Sequence, residues 1–275
     1  MISIIVSSYR ENLFEELKSY IYKSIGNIPF EIVKVSNPRL MSIGKAYNIG
    51  ATRAKYEKLL FIHEDIQFLS ENWGIVLIEI LKDKDLGIVG IAGGCKKFKL
   101  PTGHDLGLKK CRHVYVKHSL NEKLSQDEKG SLFKVKTLDG VFLAMRKDRW
   151  KEFKFDEELK DFHFYDLDIS LRVSNKFTNY VTSKIPILHF STGNFDNKWI
   201  QTSLEFHQKS YNYDFATHSE IGIVRNFWYN RLIKEDISWK NRLYYIFGMG
   251  VDKHSIAQAV NFLFSKNIFK FKEVN

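Results

Sequence analysis

Residues 59–66 read Leu59-Leu60-Phe61-Ile62-His63-Glu64-Asp65-Ile66. The four leading apolar residues are too few for a helix and read as a buried strand, and three ionisable residues follow without a break. A carboxylate at the end of a buried strand is costly unless it is paired. A divalent cation whose remaining ligands come from a diphosphate would relieve that cost. A solvated strand-end turn accounts for the same residues without any chemistry.

The flanks show what the strand belongs to. Upstream, Ser42 to Ala54 has helical periodicity with Ser42 as N-cap, and Phe30 to Val35 reads as a strand. Before these, Glu11 to Ile25 carries Leu13, Leu17, Tyr20 and Ile21 at helical spacing and stops at Gly26. The chain opens on Ile2-Ser3-Ile4-Ile5-Val6, a short β-rich run ending in Ser7 and Ser8. Downstream, Asn72 to Lys82 reads as a helix and Leu86 to Ala92 as a strand. The order β-α-β-α-β implies parallel strands joined by crossover helices, an α/β sheet with helices flanking it. Such sheets bind ligands beyond the carboxyl ends of their strands, where Ser7-Ser8-Tyr9 and His63-Glu64-Asp65 both fall.

From Gly93 to Lys134 the pattern is weak and reads as a long excursion over the sheet, a candidate lid whose lysines and arginines are solvated or grip an anion. Regular pattern returns at Phe133 to Lys136, Val141 to Met145, a helix from about Asp166, and a strand over Ile185 to His189. Beyond Lys198 the chain is helical and basic. The expected division is a catalytic domain over 1–197 and a helical extension over 198–275.

Two further clusters carry ionisable groups. Tyr165-Asp166-Leu167-Asp168 with Arg172 suits a general base beside an orienting carboxylate. It equally suits a helix start, both carboxylates favouring the helix dipole and Arg172 pairing with Asp168 at i, i+4. His189, which ends an apolar strand before Phe190-Ser191-Thr192-Gly193, reads as a core histidine or as a ligand.

Composition bounds the alternatives. At 275 residues, 44% hydrophobic and 27% charged, the chain buries a substantial core and is not disordered as a whole. Two cysteines, Cys95 and Cys111, build neither a metal knuckle nor a disulfide framework and read as reduced thiols, with a cytoplasmic location expected. No run approaches the roughly 20 apolar residues of a membrane span, and Ile2 to Val6 is too short for a signal peptide. The net charge of +10 points to an anionic partner: a nucleic acid, an acidic membrane surface or a phosphorylated small molecule.

The clusters in this order resemble the GT-A fold glycosyltransferases of the family-2 type, and within them the small bacterial StrF-like group, over Ile2 to about Gly193. Val6-Ser7-Ser8-Tyr9-Arg10-Glu11 looks like the strand and turn that hold the base and ribose of a nucleotide sugar. Lys45-Ala46-Tyr47-Asn48-Ile49-Gly50-Ala51 resembles the helix that precedes the metal strand. His63-Glu64-Asp65 sits in the Asp-x-Asp position, with His63 in place of the first Asp. Leu138-Asp139-Gly140-Val141-Phe142 looks like the acceptor-side Asp-Gly strand.

The resemblance implies a Rossmann-like nucleotide-diphospho-sugar transferase fold and a metal-dependent glycosyltransferase. Ser7, Ser8, Tyr9, Glu11, Asn48, His63, Glu64, Asp65 and Asp139 would meet the nucleotide sugar. Asp65 and His189, with His63, would hold Mn²⁺ or Mg²⁺. Asp166 would deprotonate the hydroxyl of a sugar or lipid-linked acceptor, with inversion, and Asp168 is the second candidate base. A sugar-phosphate nucleotidyltransferase would open with a Gly-rich loop that Ser7-Ser8-Tyr9-Arg10 lacks. A catalytically degenerate nucleotide-sugar binder is the first alternative. A nucleic-acid-binding module is the second, but aromatics interleaved with Lys and Arg are missing from the parallel strands.

In the tail, helical spacing of Phe227, Trp228, Tyr229, Trp239, Tyr244, Tyr245 and Phe247 predicts an aromatic face edged by Arg225, Arg231, Lys240 and Arg242. That face would pack on the sheet domain or a sister subunit, or dock on anionic lipid.

Overall fold

The computed structural model describes residues 1–122, 124, 131–159, 162–191, 193–253 and 255–265. These divide into two units: Met1–Cys95 with His113–Thr192, and Lys96–Arg112 with Gly193–Asn275.

In the first unit, β1 (Ile2–Ser8), α1 (Glu11–Ser24), β2 (Phe30–Ser36), α2 (Ile43–Arg53) and β3 (Lys58–Ile62) follow the expected alternation. β1 pairs in parallel with β2 on one side and with β3 on the other. Strand β4 (Ile66–Phe68), α3 (Trp73–Ile80), β5 (Leu86–Gly90) and β6 (Ala92–Gly94) come next. The returning chain adds β7 (Arg112–Val114), β8 (Val116–Lys117), β9 (Leu132–Val135), β10 (Thr137–Leu138) and β11 (Phe142–Arg146). It then forms α4 (Lys147–Glu152), α5 (Tyr165–Ser174), β12 (Thr178–Thr182) and β13 (Ile187–His189).

The main sheet has the order β2-β1-β3-β11-β5-β12-β9, and two small sheets run β10-β6-β7 and β4-β13-β8. Period-two alternation sends Ile4, Val6, Leu60 and Ile62 to one face, against Phe14, Leu17 and Ile21 of α1 and Trp73 and Leu77 of α3. Ile5, Leu59 and Phe61 go to the other, against Tyr47 and Ala51 of α2 and Tyr165 and Ile169 of α5. Helix α2 starts as its sequence predicts, Ser42 Oγ accepting from Lys45 N at 3.3 Å. It lies so close to the sheet that a Cβ on Gly50 would come within 2.3 Å of Ile5.

Two strands of the main sheet depart from a parallel reading: β9, antiparallel to β12 at the edge, and β11. β11 sits between β3 and β5 and runs antiparallel to both, with Phe142 opposite Ile62. This puts the start of β11, Asp139 to Val141, beside the carboxyl end of β3, where His63 N donates to Val141 O at 3.2 Å. Gly140 is buried there, and a Cβ on it would lie 2.1 Å from the Tyr165 hydroxyl. We expect Gly140→Ala to cost about 1–3 kcal/mol of stability by overpacking, read as a lower urea midpoint at unchanged slope.

Among the described residues, the second unit holds a 3₁₀ turn (Lys109–Cys111) and four helices, α6 (Asn197–Phe206), α7 (His218–Leu232), α8 (Trp239–Met249) and α9 (Ile256–Phe264). Its α7 begins with a full capping box between Thr217 and Glu220. The expected aromatic face of the tail is divided by the fold. Trp228, Tyr229 and Tyr245 are buried, Trp228 stacking on Trp199 at 5.1 Å and Tyr229 on Phe262 at 4.9 Å. Arg225 and Arg242 are also buried rather than set along an edge. Arg225 donates to Met249 O and pairs with Asp252, and Arg242 donates to Ile237 O, Phe262 O and Ser265 O. Guanidinium groups with several donors close helix ends that would otherwise leave buried carbonyls unsatisfied.

The 96–112 segment belongs to this unit, with Lys99, Lys109, Lys110 and Arg112 exposed and Lys97 turned inward. Lys97 is fully buried, its ammonium donating to Leu100 O, Thr102 O and Gly103 O. Lys96 pairs with Glu220 at 2.6 Å and Arg112 with Asp105 at 2.7 Å. Both Cys95 and Cys111 are disulfide-bonded, which corrects the expectation of reduced thiols. Among the described residues no helix is long and apolar enough to cross a membrane.

Candidate active site

The carboxyl ends of β1 and β3 are tied together by one side chain. Glu64, 9% exposed, accepts from Tyr9 N at 3.0 Å and from Arg10 N at 3.0 Å. Those two donors are backbone groups at the start of α1, where carboxylates are favoured. Glu64 thus fixes the turn Ser7 to Glu11 relative to His63 and Asp65. Glu64→Ala should cost about 1–2 kcal/mol, the loss of a helix-start acceptor, checked by urea denaturation.

The turn is braced from the other side by Asn37, a residue that the sequence reading passed over. It is 2% exposed, and its amide bonds Ser7 Oγ at 3.2 Å, Met41 O at 3.0 Å and the N–H groups of Leu40 and Met41 at 3.1 Å. The Asn-Pro pair after β2 was the available signal, since Asn there forms such turns. The same loop holds Arg39 at φ 59°, with its guanidinium 5.3 Å from the centre of the exposed Tyr9 ring. Glu11 pairs with Lys34.

Beyond Asp65 the chain forms β4, a strand too short to read from sequence. It pairs antiparallel with β13, His189 opposite Ile66, and Phe190 N donates to Asp65 O at 3.0 Å. This register brings His189 Nε2 to 3.2 Å from Asp65 Oδ1. Ser191 Oγ lies 3.0 Å from the same nitrogen, and His118 Nδ1 lies 3.3 Å from His189 O. Thr192 lies outside the described residues. One ligand atom each from His63, Asp65 and His189 falls within 4.8 Å of the others.

Burial pushes the Asp65 carboxyl up, but the hydrogen bond and charge of His189, the charge of His63 and the Ser191 hydroxyl outweigh it. The net effect holds Asp65 well below the usual carboxylate range. Burial, then the neighbouring His189, lowers His63 and favours its neutral form. His63 Nε2 meets the Tyr165 hydroxyl at 2.9 Å, and that hydroxyl donates to Gly140 O at 3.2 Å. With the hydroxyl proton so placed, Nε2 carries the imidazole proton and Nδ1 keeps the lone pair a cation would need. A carboxylate beside two imidazoles is a donor set that fits a divalent ion.

The remaining candidates have different partners, although a carboxylate oxygen of Asp139 lies within 4.8 Å of one of Asp166. Asp139 closes a turn, Oδ1 accepting from Val141 N at 2.9 Å. Asp166 Oδ2 accepts from Gly140 N at 3.0 Å, and Oδ1 from Leu167 N at 2.9 Å. Its helix, α5, is entered through Phe164 at φ 65°, a strained geometry for an aromatic residue. Asp168 is 2% exposed, and its Oδ2 takes Arg172 Nε at 2.9 Å and Nη2 at 2.6 Å. Asn48 has another task than meeting a ligand. Its two amide protons go to Phe155 O and Glu157 Oε1, both at 2.9 Å, and its oxygen accepts from Trp150 Nε1 at 3.0 Å and Phe155 N at 3.1 Å. Those four bonds fill its capacity and pin the 153–157 segment to α2.

The first unit is a mixed-sheet α/β fold with acidic and imidazole residues gathered at its strand ends. The chain belongs to the glycosyltransferase-like family, whose family model matches residues 3–220. No curated protein matches its sequence. Among solved structures it is similar to GalNAc-T7 with UDP, GalNAc and Mn²⁺, at 14% identity and TM-score 0.46 over 86% of this chain and 52% of that one. It is similar also to S. aureus TarS, at 16% identity and TM-score 0.46 over 95% of this chain and 48% of that one. The complex of S. aureus TarS 1-349 with UDP-GlcNAc gives 16% identity and TM-score 0.44, covering 95% and 79%. The chain therefore spans about half the length of the first two.

Proposed function

We propose that this protein transfers a sugar from a nucleoside-diphosphate sugar to a hydroxyl acceptor, with inversion and with a bound divalent ion. The observation that carries the reading is the convergence of His63, Asp65 and His189 at the strand ends of a family-member fold. These three residues would hold Mn²⁺ or Mg²⁺, which when bound offsets the charge on a departing diphosphate. Ser7, Ser8, Tyr9 and Glu11 would meet the nucleoside, with Asp139 on the sugar side. Glu64 sets their position through the backbone.

Asp166 would accept the acceptor's proton. Two N–H donors, Gly140 N and Leu167 N, orient its carboxylate. Asp168 is the weaker candidate because its charge is already committed to Arg172. The StrF-like group, a catalytic part over 1–197 with a helical extension over 198–275, and a cytoplasmic location belong to the same reading. So does a sugar or lipid-linked acceptor, the latter met with the protein peripheral to the inner face of an anionic membrane.

A thermal-shift panel of nucleoside-diphosphate sugars with and without Mn²⁺ tests the donor. A cognate donor at 100 times its Kd should add about 2.7 kcal/mol of apparent stability, and only with the ion present. A donor that stabilises the fold yet is neither hydrolysed nor transferred would favour the degenerate binding protein instead.

A further inference from the structure

Helices α8 and α9 each bury one face and still turn apolar residues outward. Tyr245, Ile246 and Met249 of α8 and Ala259 and Phe262 of α9 are buried, with Tyr245 edge-on to Phe262 at 6.0 Å. On their other sides, Trp239, Tyr244 and Phe247 of α8 and Ile256, Val260 and Phe264 of α9 are 48–73% exposed. The spacings 239/244/247 and 256/260/264 set each trio on one side of its helix. Exposed apolar residues grouped this way mark an interaction surface, whereas scattered ones do not.

The two helices that carry the trios hold no acidic residue, in a chain with 32 of them, although Asp236 is exposed just before α8. Lys240 is exposed, with its ammonium 5.8 Å from the centre of the Tyr244 ring, and Lys253 is exposed in the turn between the helices. Asp252, in that turn, is paired with the buried Arg225, and Arg242 points inward to backbone carbonyls. A second copy of this face would set lysines against lysines, which disfavours self-association. A nucleic acid would engage the lysines but offers nothing to Ile256 and Val260.

An anionic bilayer satisfies both features. Trp and Tyr rest at the headgroup level, aliphatic and Phe side chains enter the acyl boundary, and lysines meet lipid phosphates. We infer that the outward faces of α8 and α9 form a membrane-docking surface that lies in the interface of an anionic bilayer. The inference concerns the second unit alone. It deepens the membrane-peripheral part of the proposed function and needs neither donor nor metal, so its failure would remove that part and leave sugar transfer from a nucleotide sugar intact.

The test is co-sedimentation of the full chain with phosphatidylglycerol–phosphatidylcholine vesicles and with phosphatidylcholine vesicles, at low and high salt. The protein should pellet with the anionic vesicles at low salt, and at least about tenfold less with neutral vesicles or at high salt, where the lysine contribution is screened. The exposed-residue variant Trp239→Ser/Phe247→Ser/Phe264→Ser should lose at least about tenfold in partitioning with its melting temperature nearly unchanged, since buried residues are untouched. If that variant proves unstable, Lys240→Glu/Lys253→Glu provides the same test through charge. Absence of pelleting at low salt, or pelleting by both variants equal to that of the parent chain, overturns the proposal. A concentration-dependent dimer in sedimentation velocity that the triple variant abolishes also overturns it, assigning the face to a second copy.

Discussion

Asp65→Ala should abolish Mn²⁺-dependent binding of a nucleoside diphosphate while leaving the protein folded. The carboxylate is the anionic member of the cluster, and His189, His63 and Ser191 keep it ionised across the physiological range. Without it two imidazoles remain, and the trio has no anionic group left to balance the ion's charge. Loss of a residue that only orients a ligand typically costs 10–100-fold in metal affinity. Loss of the charged ligand itself should cost at least about 100-fold, or roughly 2.7 kcal/mol. The strand pairing that positions Asp65 runs through its backbone, where Phe190 N donates to Asp65 O, so the β4–β13 ladder survives the substitution. Titration calorimetry with and without Mn²⁺ reads the result. Unchanged Mn²⁺-dependent affinity in a folded variant would remove Asp65 from the site.

Asp166→Asn should leave donor affinity within a few-fold and lower the transfer rate by about 10²–10⁴, the usual contribution of a general base. Both Asp166 oxygens accept backbone N–H groups, so the asparagine sets its NH₂ against one donor and also loses about 1 kcal/mol of stability. That loss is too small to mimic a dead enzyme, and a melting curve separates the two effects. Asp168→Asn makes the contrast. It weakens the bond to Arg172 and should destabilise α5 by about 2 kcal/mol with only a mild change in rate. If Asp168→Asn were instead the variant that binds donor and does not turn over, the base would be two residues away. Equal, mild losses from both would reduce the pair to helix capping.

The sequence by itself determined the local elements and the edge at which the site lies. The run Leu59 to Ile62 is apolar and strand-forming, Ser42 is a helix cap, and Gly26 stops α1; these are short-range preferences written in neighbouring residues. Strand alternation and the β-α-β order then placed Ser7 to Glu11 and His63 to Asp65 at the same end of the sheet. Tertiary structure decided which side chains meet there. The pairing of β4 with β13 joins residues more than 100 apart and sets His189 beside Asp65, and β4 is too short to leave a periodic signal. Insertion of β11 antiparallel between β3 and β5 brings Gly140 to both Tyr165 and Asp166. For the same reason the sequence reading did not foresee the protein partners of Asn48, Lys97, Arg225 and Arg242, the first of which it set at the nucleotide sugar and the last two along an aromatic face. A polar residue type fixes what a side chain can bond, but only the packed chain settles whether backbone groups or solvent fill that capacity. Because leaving a buried polar group unpaired costs more than a typical hydrogen bond yields, the fold used those side chains for its own closure and left the ends of β3 and β13 to hold the ionisable cluster.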